Sequence, residues 1–172
     1  MDNAKSSFQT AVEVDPNFFD GYIALGLTYA AAGDTLAFGF FETAIELNPN
    51  SVEAKYNLAY SLQEFKPTSR AYLNKARQEY RAIVELDPNN AAASFNQGYI
   101  HLEYLQNYDS AVHHFSMAIE ALPYYHQAFF NRGLANESLG RNDEAELDYR
   151  EALSIKPDYT AAALALERVL DQ

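Results

Sequence analysis

An all-α solenoid of about ten helices is the fold class the sequence predicts, on three observations. Five of the six prolines close closely related stretches: "VEVDPN" at Pro16, "IELNPN" at Pro49, "VELDPN" at Pro88, "IEALPY" at Pro123 and "LSIKPD" at Pro157. Their separations are 33, 39, 35 and 34 residues, and a fixed period of this length reports an array of like units. Ahead of each proline runs an Ala-x3-aromatic-x2-apolar stripe, whose i, i+4, i+7 spacing places one apolar face on a helix that the proline then stops.

Taken in order, the first stripe is Ala4, Phe8 and Ala11, on a helix expected over residues 3–14. Next come Tyr22, Leu25, Gly26 and Tyr29 in "GYIALGLTYAAAGD", with a turn at Gly33, and then the stripe Ala37, Phe41 and Ala44. The weaker series Leu58, Ala59 and Leu62 marks a further helix. About five extra residues, "KPTSR" at 66–70, separate it from the stripe Ala76, Tyr80 and Ile83, so this inter-helix turn should be longer than the others. "FNQGYIHL" with Gly98 precedes Ala111, Phe115 and Ala118, and "FNRGLANESLG" with Gly133 precedes Ala145, Tyr149 and Ala152. "YTAAALALERVL" closes the series as an unpaired helix. Glycine inside a helix costs about 1 kcal/mol relative to alanine. Its return at Gly26, Gly98 and Gly133 therefore predicts close helix contact there, whereas Gly33 and Gly140 mark turns.

Composition sets bounds on function. Among 172 residues, 48% are hydrophobic and 14% aromatic, enough for a packed core. Twenty-four acids against twelve bases give a net charge of −12, a field that repels nucleic acid and anionic membrane surfaces. The chain has no cysteine, hence no disulfide, thiolate zinc site or thiol nucleophile; cysteine-free chains occur in cytosol and periplasm alike, so the compartment stays open. No apolar run approaches the roughly 20 residues of a spanning helix, so no membrane insertion is expected.

These features resemble the tetratricopeptide repeat: aromatic-x2-Leu-Gly-x2-Tyr, then Ala-x3-Phe-x2-Ala, then Pro, every 34 residues or so. The resemblance covers essentially the whole chain and implies a right-handed α-α superhelix of helix pairs. It divides the chain into a half repeat with the second helix only (1–17), repeats at 18–50, 51–89 (with the insertion near 66–70), 90–124 and 125–158, and a terminal capping helix (159–172). An array cut in mid-repeat is expected to be a fragment of a longer protein, able to self-associate through its exposed ends. Departures from the pattern are Lys55 for the first aromatic, Gln97 and Arg132 for the leucine, and His101 and Asn136 for the tyrosine; helix packing there should be more polar than usual.

The resemblance also implies a role as a non-catalytic scaffold, in which first helices line a concave groove that holds an extended peptide of a protein partner. Two positions before the glycine site stand Asn57, Asn96 and Asn131; three before it, Tyr56, Phe95 and Phe130; one after it, Tyr60 and Tyr99. A column of asparagines could satisfy the amides of an extended segment whatever its sequence, with the aromatics adding apolar contact. The family's clamp for a C-terminal carboxylate is not expected: its lysine and asparagine positions are held by Ile23 and Leu27, Tyr56 and Tyr60, Phe95 and Tyr99, and Phe130 and Leu134. Glu64, Glu103 and Glu137 on the same side favour a neutral or basic segment instead. Structural spacing, self-association, or regulation within a longer protein is the competing function.

No catalytic residue, metal ligand or cofactor is assigned. His113 and His114 are adjacent and point about 100° apart on a helix, whereas a helical metal pair needs i, i+3 or i, i+4 spacing. Glu144 with Glu146, and Asp143 with Asp148, read as solvated charge. Lys66, Arg70, Lys75, Arg77 and Arg81 form a basic patch around the insertion, either a solvated face paired with Glu79 and Glu85 or a surface for an acidic partner.

Overall fold

The computed structural model describes the backbone of residues 2–171 and side-chain surroundings from residue 5 to 171; Ala4 of the first expected stripe lies outside the described side chains. It contains ten α-helices and, among the described residues, no strand. They are α1 (Asp2–Val14), α2 (Phe19–Ala31), α3 (Leu36–Leu47), α4 (Val52–Phe65), α5 (Arg70–Leu86), α6 (Ala91–Tyr99), α7 (Tyr108–Ala121), α8 (His126–Ser138), α9 (Asn142–Ile155) and α10 (Thr160–Leu170). The chain forms two compact units, Met1–Leu86 and Asp87–Gln172. In the first, α1 packs on α2, which pairs with α3, and α4 pairs with α5. In the second, α6 pairs with α7, α8 with α9, and α10 packs on α9.

Proline makes the punctuation. The N–H of Phe18 donates to the Asp15 carbonyl at 3.0 Å, and the same i+3 to i bond recurs from Ser51 to Asn48, Asn90 to Asp87, Tyr125 to Leu122 and Tyr159 to Lys156. Each of the five prolines thus sits second in a tight turn, where its fixed φ is already correct. The sixth, Pro67, builds the same turn inside the insertion, closed by the Ser69 N–H on the Lys66 carbonyl at 2.9 Å. Ser51, Asn90 and Asn107 then cap α4, α6 and α7 by accepting from the N–H three residues on.

Within pairs, glycine meets an aromatic ring. A Cβ on Gly133 would lie 2.6 Å from Tyr149 Cε1, and one on Gly98 would lie 2.8 Å from the Phe115 ring; Gly26 faces Phe41 in the same way. Phe41, Phe115 and Tyr149 are fully buried, so each ring fills the space that the missing side chain leaves.

The irregular period has a local cause. From Gly133 to Ala145 the chain advances twelve residues, from Gly98 to Ala111 thirteen. The surplus residue is taken up where α6 widens into a π-helical turn, Ile100–Tyr104. Leaving it, Gln106 adopts the left-handed conformation, φ 51°, that Gly33 and Gly140 supply in the other turns at 67° and 73°.

The polar departures pack in two ways. Arg132 donates from Nε to both carboxylate oxygens of Asp148 at 3.1 Å, from Nη2 to Oδ1 at 2.7 Å, and from Nη1 to Ser116 Oγ at 3.0 Å. Asn136 Nδ2 donates to Asp148 Oδ2 at 3.1 Å. Asp148 is therefore a buried partner and not the solvated charge its sequence context predicts, because Arg132 at the leucine position needs a counter-ion between α8 and α9. Burial raises the Asp148 carboxyl above the ordinary carboxylate range, with Arg132 and Asn136 pulling it down. His101, in the tyrosine position, is buried and stacks on His114 with ring centres 5.4 Å apart.

Candidate functional site

In the first unit, a half-open pocket of about 420 Å³ lies among α2, α3 and α4. Leu27 and Ala30 of α2, Phe38 of α3, and Asn57, Tyr60, Glu64 and Phe65 of α4 line it, with Asp34 in the turn between α2 and α3. Helical spacing brings Asn57, Tyr60 and Glu64 to one face of α4, one turn apart. Leu27, Tyr60 and Phe65 are each more than two-fifths exposed, and they stand together around this one pocket. The wall is rigid: Phe38 meets Phe65 and Tyr72 edge-on at 5.6 Å each, and Tyr56 stacks on Tyr60 while meeting Tyr80 edge-on at 5.8 Å. The charge of Glu64, and then burial, raise the Tyr60 phenol above its ordinary value, so it remains a proton donor at neutral pH.

Three of the sequence-predicted groove residues, Asn57, Tyr60 and Glu64, thus share one pocket, with Tyr56 supporting it from behind. Phe38 and Phe65 were not among the expected residues, whereas Leu27 stands at the groove position one after the glycine site, equivalent to Tyr60. Phe65 beside the Lys66-Pro67 helix stop was the available signal, since a large ring in the last turn of a helix that no stripe includes has no core role.

The second unit treats the corresponding residues differently. Asn96 and Asn131 are buried, and their amide groups donate to carbonyls of their own helices, Ala92 at 3.0 Å and Gln127 at 2.8 Å. Phe95 stacks on Tyr125 at 4.9 Å and on Tyr99 at 6.5 Å. Phe130 meets Tyr159 at 5.1 Å and Tyr149 at 5.9 Å. Glu103 is exposed on the rim of a shallow depression of about 470 Å³, shared with Leu134, Glu137 and Arg168. Glu137 does not supply the negative charge expected of it: Arg168 binds both its oxygens at 2.6 and 2.7 Å, and Tyr149 donates to it at 2.7 Å.

Among the described residues no cluster of three metal-ligating side chains occurs, and no helix is long and apolar enough to cross a membrane.

Comparison with known proteins agrees with this architecture. Residues 126–159 match the tetratricopeptide repeat model. Tetratricopeptide repeat protein 6 of Homo sapiens is 25% identical over 166 residues, which cover 94% of this chain and 31% of that protein. Hsp70-Hsp90 organizing protein 2 of Arabidopsis thaliana is 42% identical over 53 residues, 31% of this chain and 9% of that protein. The chain therefore spans less than a third of these curated relatives. A solved structure of MamA superposes with a TM-score of 0.82 at 23% identity, covering 92% of this chain and 90% of that one, a likeness of fold. Helix pairs, proline-closed turns and glycine-on-ring contacts give this chain the fold of tetratricopeptide repeat proteins, and residues 126–159 match the tetratricopeptide repeat model.

Proposed function

We propose that the chain is a non-catalytic protein-interaction scaffold that holds an extended, partly apolar and basic segment of a protein partner against its first helices. The observation that carries this is the pocket of the first unit. It combines exposed Leu27, Tyr60 and Phe65, which gain by losing contact with water, with Glu64 and Asp34 at the rim and the Asn57 amide on the floor. An apolar side chain with a lysine or arginine beside it fits that combination. Tyr56 supports the floor, and within the second unit Asn96, Asn131, Phe95, Phe130, Tyr99 and Glu103 are the counterparts on α6 and α8. That one of the matched relatives is named as an Hsp70-Hsp90 organizing protein is in keeping with a scaffold.

The test is fluorescence anisotropy of a labelled peptide array of apolar residues flanked by lysine. Tyr60→Ala should weaken the best binders by about 1–2 kcal/mol, as truncation of an aromatic anchor does. Glu64→Lys should turn preference away from basic flanks. Peptide binding that survives both changes at full strength would remove the pocket from the reading.

A further inference from the structure

In a chain with twice as many acids as bases, a cluster of cations with neither an acid nor a ring beside them stands apart. Seven of the twelve lysines and arginines are in ion pairs: Lys55 with Glu79, Lys75 with Glu42, Arg81 with Glu85, Arg132 with Asp148, Arg141 with Asp109, Arg150 with Glu146 and Arg168 with Glu137. Lys5 and Lys156 lie over the rings of Tyr29 and Tyr159. The three left, Lys66, Arg70 and Arg77, have no acid within ion-pair distance among the described residues. They fall together in the insertion and the helix that follows it.

The fold gathers them on one surface. The Pro67 turn folds Lys66 back beside the start of α5, where Arg70 is the first residue. Arg70 and Arg77 stand two helical turns apart on one face of α5, about 10 Å along its axis. Arg81 continues that face, and its pair with Glu85 is long, 3.6 Å, with both side chains about 70% exposed. No acid occupies the first turn of α5, so Arg70 adds its charge to the positive end of the helix dipole. The surface is held firmly: Tyr72 packs on Phe38 and Phe65, Lys75 is tied to Glu42, and Leu73, Ala76, Tyr80 and Ile83 bury the other side of the helix. Glu79 lies on the opposite flank of α5 and is taken by Lys55.

We propose that the turn at residues 66–69 and the outer face of α5 dock an acidic segment of a partner protein. An extended segment advances about 3.3 Å per residue, so carboxylates about three residues apart would match the spacing of Arg70 and Arg77. The site differs from the pocket in helix face and in charge, and does not depend on it. A nucleic acid is the poorer fit, since its phosphates would extend past these few cations into the field of a chain of charge −12. A second copy of the chain carries the same net charge and is repelled likewise.

The test uses the whole chain and a fluorescein-labelled glutamate-rich peptide with its acids three residues apart, at low salt. The double variant Lys66→Glu with Arg70→Glu should bind about tenfold more weakly, while Lys5→Glu with Lys156→Glu, of equal net charge, should stay within about twofold of the parent. Arg77 is left in place because its Nε is shielded from solvent, so folding, followed by circular dichroism, is not put at stake. A lysine-rich peptide that gains affinity for the reversed variant supports the site. Equal loss in both double variants would overturn it in favour of a whole-molecule field. Displacement of the peptide by duplex DNA or by the unlabelled chain at lower concentration would overturn it in favour of those occupants.

Discussion

At the scale of residues, the buried pair of Arg132 and Asp148 decides most. Arg132 keeps a quarter of its side chain in water, whereas Asp148 keeps only 5%, so the two are not equally replaceable. Arg132→Met would leave the carboxylate buried with Asn136 as its remaining side-chain donor, and should cost about 3 kcal/mol of stability at neutral pH. The sign of the pH dependence follows from burial: Asp148 already has a raised folded-state pKa, and loss of the cation raises it further. A carboxyl with a raised pKa is most stabilising when protonated, below its unfolded value, and that stability is lost as pH rises through the folded value. The deficit of the variant, measured by urea unfolding, should therefore shrink as pH is lowered from neutrality, whereas a purely steric defect would be constant.

At the scale of elements, glycines in similar helices have opposite meanings. Gly133 faces a Tyr149 ring whose hydroxyl is fixed on Glu137 at 2.7 Å, so the ring cannot retreat from an added methyl group. Gly133→Ala should destabilise by about 1–2 kcal/mol, overpacking outweighing the gain in helix propensity. Gly39 of α3 is exposed, with nothing within 4 Å of where its Cβ would be, and Gly39→Ala should stabilise by about 1 kcal/mol. Thermal unfolding of the two variants, shifting in opposite directions, checks both. The π-helical turn gives a third case. Gln106 pays the left-handed strain that glycine carries elsewhere, so Gln106→Gly should raise the midpoint by the equivalent of about 0.5–1 kcal/mol.

At the scale of the whole molecule, charge opposes self-association and an apolar surface favours it. Leu164 and Leu170 of α10 are 60% and 55% exposed, with Ala161 and Ala163 beside them. Leu166 of the same helix packs against Ala145, Tyr149, Ala165 and Val169 and adds nothing to that surface. The net charge of −12 keeps copies apart at low salt, and at physiological ionic strength a Debye length of about 8 Å screens much of that repulsion. Light scattering should show mass rising with protein and salt concentration, and Leu164→Lys should abolish the rise. A parent chain of constant mass throughout would show that two leucines are too small a patch.

The sequence by itself determined the helix count, the pairing and the turns, because each depends on neighbours within one or two helical turns. Proline second in a tight turn, glycine at a crossing and the 3.6-residue apolar stripe act locally, and they are legible wherever they recur. It also brought Asn57, Tyr60 and Glu64 to notice, since three residues on one face of one helix need no tertiary information. What only the tertiary structure decided rests on side chains far apart in sequence. Arg168 neutralises Glu137 across 31 residues, Lys75 takes Glu42 across 33, and Asp148 answers Arg132 across 16. In each case the sequence displayed two ordinary charges, and which of them would meet depended on how the helices packed. The exposed walls of the pocket and the cations Lys66, Arg70 and Arg77 are what that pairing left over.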